Sequence, residues 1–390
     1  MAPTYDPQAD PSAASITELI TSYHELNSQT IDELDEQPSP LEFMRYVARN
    51  RPLVVRGAAV DWPACKKWNF EFLANGEMGG GNVGVAKTPH GDADAPVEVS
   101  GMGLCFVRPH YDSTESLDNV LAEIRDQEED KERGNSQMYG AYYAQTQNNN
   151  LPEEYEELYR DVPESIPFAR IALQKKPDAV NMWIGNSLST TALHKDNYEN
   201  IFVQILGQKH FVLLPPVESA CVNEQELPDA TYVRFDVPQE VYDYNDAHGI
   251  RDTVNLEPEL DDPPTKTTFP TWDPDNPTLR PTPFSRLSRP MRVTLDEGDM
   301  LYLPALWYHK VSQTCNKKER LCISVNYWYD MEFSGSFWSL CNFARSVGLS
   351  ATATAAAATA AATAEREAEN RRTDEAREEQ TRDAMRWDDD

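Results

Sequence analysis

The chain is poor in residues that several common functions require. Six cysteines are spread over 390 residues, at positions 65, 105, 221, 315, 322 and 341, with no CxxC pair. This spacing excludes a disulfide framework and the usual structural zinc sites, and it is the usage of a reducing compartment. Basic charge is also scarce: 35 Lys and Arg stand against 65 Asp and Glu, a formal net charge of −30. Gripping nucleic acid needs a basic footprint, so that is excluded as the main role, and a basic protein or peptide partner fits better. No run of roughly eighteen strongly apolar residues occurs, so no membrane span is expected. The opening MAPTYDPQADPSAAS has neither a basic n-region nor an apolar h-region, so no signal peptide is expected. The glycine-rich stretch 76–81 is not followed by the Lys-Ser/Thr of a phosphate cradle, and there is no GxSxG elbow. These absences predict a cytoplasmic protein, with the nucleus also open. A hydrophobic fraction of 40% is ordinary for a globular chain and sufficient for a full core.

Residues 1–15 carry prolines at 3, 7 and 11 and read as disordered. From Ser15 to Asn50 apolar residues recur at helical spacing, which predicts two helices split by Pro38 and Pro40. The segment 52–57 reads as a strand, 117–133 as a charged amphipathic helix and 137–145 as a strand. From residue 180 the texture changes to short strands at 201–206, 209–214, 291–295, 300–303 and 321–328, rich in β-branched and aromatic residues. Residues 255–290 are crowded with prolines and show little periodicity, which predicts a long functional or partly disordered insert. The strand count and spacing point to a mainly β chain with flanking helices, an antiparallel barrel or double-sheet jelly roll. In the tail, 351–364 holds only Ala and Thr, and 365–390 holds eleven acids and six bases. It has helix propensity but no apolar stripe. A solvated helix or disordered segment, dispensable for catalysis, is therefore expected for 351–390.

Chemistry concentrates in Thr-Ala-Leu-His-Lys-Asp at 191–196 and Leu-Trp-Tyr-His at 306–309. Side chains two apart on a strand share a face, so His194 and Asp196 can grip one metal. His309 would complete a set of two histidines and one carboxylate. Such a set leaves three positions of an octahedral ion open, the arrangement of non-haem Fe(II) oxygenases. A lone HxD recurs by chance; what lifts this one is the turn, strand and proline before His309 and the two strands following Asp196. His210 should face away from Lys209 and reads as structural.

The strings NMWIGNSLSTTALHKDNYENIFVQILGQKHFVLLPP (181–216), GDMLYLPALWYHKVSQT (298–314) and SVNYWYD (324–330) resemble the JmjC family of 2-oxoglutarate oxygenases, within it the small cupin-like hydroxylases. The likeness runs from about residue 16 to 345 and leaves out the tail. It implies a double-stranded β-helix catalytic domain over 136–345, with 16–135 packing on it. It also implies Fe(II) held by His194, Asp196 and His309, with 2-oxoglutarate and O2 as co-substrates. Lys209 resembles the lysine that pairs with the distal carboxylate of 2-oxoglutarate, and Thr191 the hydroxyl that bonds the same group. Asn200, Asn326 and Tyr143 resemble the rest of that polar wall, with Tyr139 and Tyr142 in competing registers. The implied substrate is a protein lysine hydroxylated on its side chain, with a translation-associated GTPase as one candidate bearer. Asp330 and Glu332, after the final strand, could meet such a cation, although a solvated loop pair is the plainer reading. Histone lysine demethylation, peptide cleavage and a non-catalytic cupin-like binding role are the alternatives, and a homodimer is left open.

Overall fold

The computed structural model describes residues 11–76, 80–134, 140–238, 240 and 255–386. Eight strands form its centre: β1 (Ala179–Gly185), β2 (Thr191–His194), β3 (Tyr198–Leu206), β4 (Gln208–Leu214), β5 (Met291–Leu295), β6 (Met300–Leu303), β7 (Tyr308–Thr314) and β8 (Cys322–Asp330). They divide into two antiparallel layers, ordered β6-β3-β8-β1 and β5-β4-β7-β2. The chain changes layer at nearly every connection, which makes this a jelly-roll double-stranded β-helix. The first layer is extended past β6 by Leu53–Val55 and Asp32–Leu34.

Side-chain alternation explains the apolar residues 201–203 and 205–206 of β3. Ile201, Val203 and Ile205 face outward into the cluster containing Phe43 of helix Pro40–Arg49 and Phe168 of helix Pro167–Leu173. Phe202 faces inward, packing with Phe211, Leu213, Met291, Val293, Leu301 and Trp307 between the layers. Both faces of the strand are thus buried, which removes the usual polar alternation. Helix Pro40–Arg49 starts where Ser39 Oγ accepts the Glu42 amide and ends at left-handed Asn50.

Several segments depart from the sequence reading. Residues 11–15 are helical, opening the helix Pro11–Leu26, because Ala13, Ile16 and Ile20 are buried; residues 1–10 lie outside the described residues. The proline-crowded stretch contains strands Leu256–Leu260 and Lys266–Pro270, both paired with Glu224–Arg234. Their prolines are tolerated because Leu256–Leu260 is a sheet edge and Pro270 ends its strand. The strand read at 137–145 spans Ala141–Tyr143; 137–139 lie outside the described residues, as do 77–79 of the glycine-rich stretch. Strands Asn82–Thr88, Ala95–Val99, Gly103–Arg108 and His110–Ser116 carry no strong periodicity and add two outer sheets.

The tail is helical, within Phe337–Arg386. The expectation of no docking face fails at Ala351 and Ala355, each 1% exposed. Ala351 belongs to an apolar cluster with Ala13, Ile16, Ala220 and Phe284. Alanine makes a narrow stripe that hydropathy patterning overlooks. By length and composition Phe337–Arg371 could cross a membrane, but its apolarity comes largely from alanine and its first part packs on the folded body. Truncation after Ser350 is expected to cost about 1–2 kcal/mol of stability through the exposed cluster, read as a lower denaturant midpoint, with kcat/KM unchanged.

Candidate active site

β2 ends at His194, and Asp196 lies just past it in the turn to β3 rather than on the strand. The alternation still holds. Lys195 points away, its Nζ 2.7 Å from Glu224 Oε1 and 2.9 Å from Tyr308 Oη, while His194 and Asp196 share one cavity. The Leu306 amide donates to the Asp196 carbonyl at 2.8 Å, tying this turn to the approach of β7.

Antiparallel pairing of β2 and β7 sets His194 directly opposite His309. Their ring centroids are 4.0 Å apart. Asp196 Oδ2 lies 3.8 Å from His194 Nε2 and 3.7 Å from His309 Nε2, and the three ligand atoms converge within 4.8 Å. His194 Nδ1 sits 2.8 Å from the Ala192 carbonyl, and His309 Nδ1 sits 3.0 Å from that of Trp307. A carbonyl only accepts, so both Nδ1 atoms carry the proton and both Nε2 lone pairs face the centre. Burial, then the neighbouring His194, lowers the His309 imidazole to about 4, against the opposing pull of Asp196. His309 is therefore neutral near pH 7, the form that binds a metal. Two imidazoles and a carboxylate, with lone pairs converging at an open cavity, fit a divalent iron-group ion.

The cavity holds about 450 Å³, and Thr191, Asn200, Asn326, Lys209 and Tyr143 line it together with His194, Asp196 and His309. Lys209 is 3% exposed. Its Nζ donates to Tyr143 Oη at 3.0 Å and to Gln313 Oε1. Burial pushes the Tyr143 phenol up, against the lowering pull of Lys209, so both acceptors are neutral. No carboxylate of the described residues pairs with this ammonium, and a buried cation without a counter-charge is costly. The site is set for an anion. Trp183 Nε1 donates to Asn326 Oδ1 at 2.9 Å, and Asn326 Nδ2 to Asn200 Oδ1 at 3.2 Å, which fixes both amides in the wall.

Among the competing tyrosines, Tyr142 faces away, its ring 4.6 Å from Lys87 Nζ, and Tyr139 lies outside the described residues. His210 bonds Thr294 and Thr314 off the cavity, as its register requires. Asp330 and Glu332 are exposed and not in the cavity wall; the Asp330 amide bonds Asp178, and Glu332 accepts from the Ser334 amide. Sequence reasoning missed Gln313 and Gly185. Gln313 was findable, since 309, 311 and 313 alternate onto one face of β7. A Cβ on Gly185 would lie 2.5 Å from Tyr143 Cδ2 and 2.7 Å from Gln313 Nε2. Only glycine lets both partners close on Lys209.

Comparison with known proteins gives a consistent answer. The Cupin-like domain family model matches residues 38–335. The chain is similar to the bifunctional peptidase and (3S)-lysyl hydroxylase JMJD7 of Homo sapiens, 36% identical over 77% of this chain and 84% of the relative. It is also similar to the lysine-specific demethylase JMJ32 of Arabidopsis thaliana, 32% identical over 86% and 92% respectively. A third relative, JmjC domain-containing protein E of Dictyostelium discoideum, is 31% identical over 81% and 92%.

Two outcomes follow from the geometry. His194→Ala or Asp196→Ala should abolish Fe(II) or Mn(II) binding in titrations while Tm moves by no more than a few degrees, because each removes one of three ligands. Gly185→Ala should displace Tyr143 and Gln313 from Lys209. The overpacking should cost about 1–3 kcal/mol of stability, and anion binding beside Lys209 should weaken while metal affinity stays near wild type.

Proposed function

The chain belongs to the cupin-like JmjC family, and on that premise we propose that it is an Fe(II)- and 2-oxoglutarate-dependent oxygenase that hydroxylates a lysine side chain of a protein. The observation that carries the co-substrate is Lys209, a buried ammonium bound only by neutral oxygens in the cavity that holds the metal-ligand set. His194, Asp196 and His309 would hold Fe(II). Together with 2-oxoglutarate and O2, that ion would supply the oxidising chemistry, with succinate and CO2 as the co-products.

The chain's own residues bind and orient. Lys209 pairs with the distal carboxylate of 2-oxoglutarate, and Tyr143 and Gln313 hold its ammonium toward the cavity rather than letting it seek solvent. Thr191 supplies a hydroxyl to the same carboxylate, and Asn200 and Asn326, locked by Trp183, complete the polar wall. The apolar barrel floor of Phe202 and Phe211 excludes water, which strengthens each charged contact. The lysine assignment draws on the human relative's name as a lysyl hydroxylase.

Lys209→Ala removes one partner of a desolvated ion pair, a loss of about 3–5 kcal/mol. Affinity for 2-oxoglutarate, measured anaerobically with Mn(II), should fall by two orders of magnitude or more, since about 1.4 kcal/mol is a factor of ten. Arginine at 209 should rescue only in part, because its planar guanidinium is larger and aimed differently. An affinity within threefold of wild type would remove Lys209 as the anchor. For the reaction, lysine-bearing peptides incubated with enzyme, Fe(II) and 2-oxoglutarate should gain one oxygen atom on the lysine side chain by mass spectrometry. Loss of a methyl group from methyl-lysine peptides, with no oxygen retained, would favour demethylation, the activity in the Arabidopsis relative's name.

A further inference from the structure

Six side chains in the cavity wall are acidic, basic or imidazole: Asp94, Arg108, His194, Asp196, Lys209 and His309. Five already have an assignment. His194, Asp196 and His309 converge as metal ligands, Lys209 is held by Tyr143 and Gln313, and Arg108 is paired with Asp261. Asp94 is left over. It forms no hydrogen bond or ion pair with any described residue, and the charges it feels are those of His194 and Arg108. Burial holds its carboxyl above the usual carboxylate range, against the weaker lowering pull of those two groups. A half-buried carboxylate without a partner is costly on its own and relieved by a cation.

The local backbone makes this placement specific. Asp94 precedes strand Ala95–Val99 in a left-handed conformation with φ of 52°. Glycine adopts that region freely, and Asn and Asp more readily than most residues, so an aspartate suits the turn, and its side chain lines the cavity. Trp183, Trp328 and Phe269 line the same cavity. Their apolar faces suit an alkyl stem, as long cationic side chains lay their methylenes on apolar surface and keep the charged head at a polar group.

We propose that Asp94 receives the side-chain ammonium of the substrate lysine and so sets the preference for a cationic side chain over a neutral one of the same length. The assignment rests on the lysine-hydroxylase reading above. It divides the cavity by charge: Lys209 takes an anion, and Asp94, separately, takes a cation.

The test uses two probes, Nα-acetyl-lysine N-methylamide and its norleucine counterpart. They are titrated into full-length enzyme holding Mn(II) and 2-oxoglutarate without oxygen, and binding is read by Mn(II)-induced NMR line broadening. Wild type should bind the lysine probe about tenfold or more tighter, the equivalent of about 1.4 kcal/mol. Asp94→Asn and Asp94→Gly both accept the left-handed backbone. Each should bring the two affinities to within about twofold, while the Mn(II) and 2-oxoglutarate affinities, which report the intact fold, stay near wild type. If wild type prefers lysine and both variants keep that preference, Asp94 is not the reader and the lysine reading stands. If wild type does not distinguish the probes, the lysine reading and the role of Asp94 fall together.

Discussion

Antiparallel pairing of β2 with β7 seats the Cα of His194 opposite that of His309, and most of the site depends on that register. A slip of one residue would turn one imidazole to the outer face, because side chains alternate along a strand. The register is secured from both ends. β7 also pairs with β4 over seven residue pairs, from Gln208 with Thr314 to Leu214 with Tyr308. Lys195, between His194 and Asp196, is anchored outward on Glu224 and Tyr308. Arg345 of the C-terminal helix also binds Glu224, so the helix braces the reverse side of the turn that carries Asp196.

The same closure makes the cavity electrically polar. Lys209 is removed from water and holds only neutral partners, while the carboxylates Asp94 and Asp196 face the same space. In a low-dielectric enclosure such charges act strongly on whatever enters. A dianion, a divalent metal and a cationic side chain would each meet a group of opposite sign. The fold sustains these isolated charges because two apolar clusters, one between the layers and one beneath the helices on the first layer, stabilise the frame around them.

Residues outside the barrel complete the site. Tyr143 comes from a short strand paired with Asn82–Thr88, Arg108 comes from the sheet that also contains Glu224–Arg234, and Asp94 immediately precedes a strand of that sheet. The region before residue 136 is therefore part of the binding cavity as well as a packing partner of the barrel. This is why proline-rich residues 256–270 are ordered: they extend the sheet that walls the cavity, with Phe269 reaching it.

Much was legible in the sequence alone. The jelly-roll class, the helices within 16–50 and over 117–132 and the central strands carry local signals, since periodicity and β-branched runs act within a few residues. The His-x-Asp pair and the distal histidine could be singled out because their chemistry is short-range and their flanking turns are strong. What tertiary structure alone decided lies in pairings over long separations. These include Tyr143 rather than a neighbouring tyrosine on Lys209, Gly185 beneath it, Asp94 in the same cavity, and Ala351 buried in an apolar cluster. None of these leaves a local mark, because each depends on which surface another segment brings opposite, and that is settled only when the two layers close and bury their shared faces.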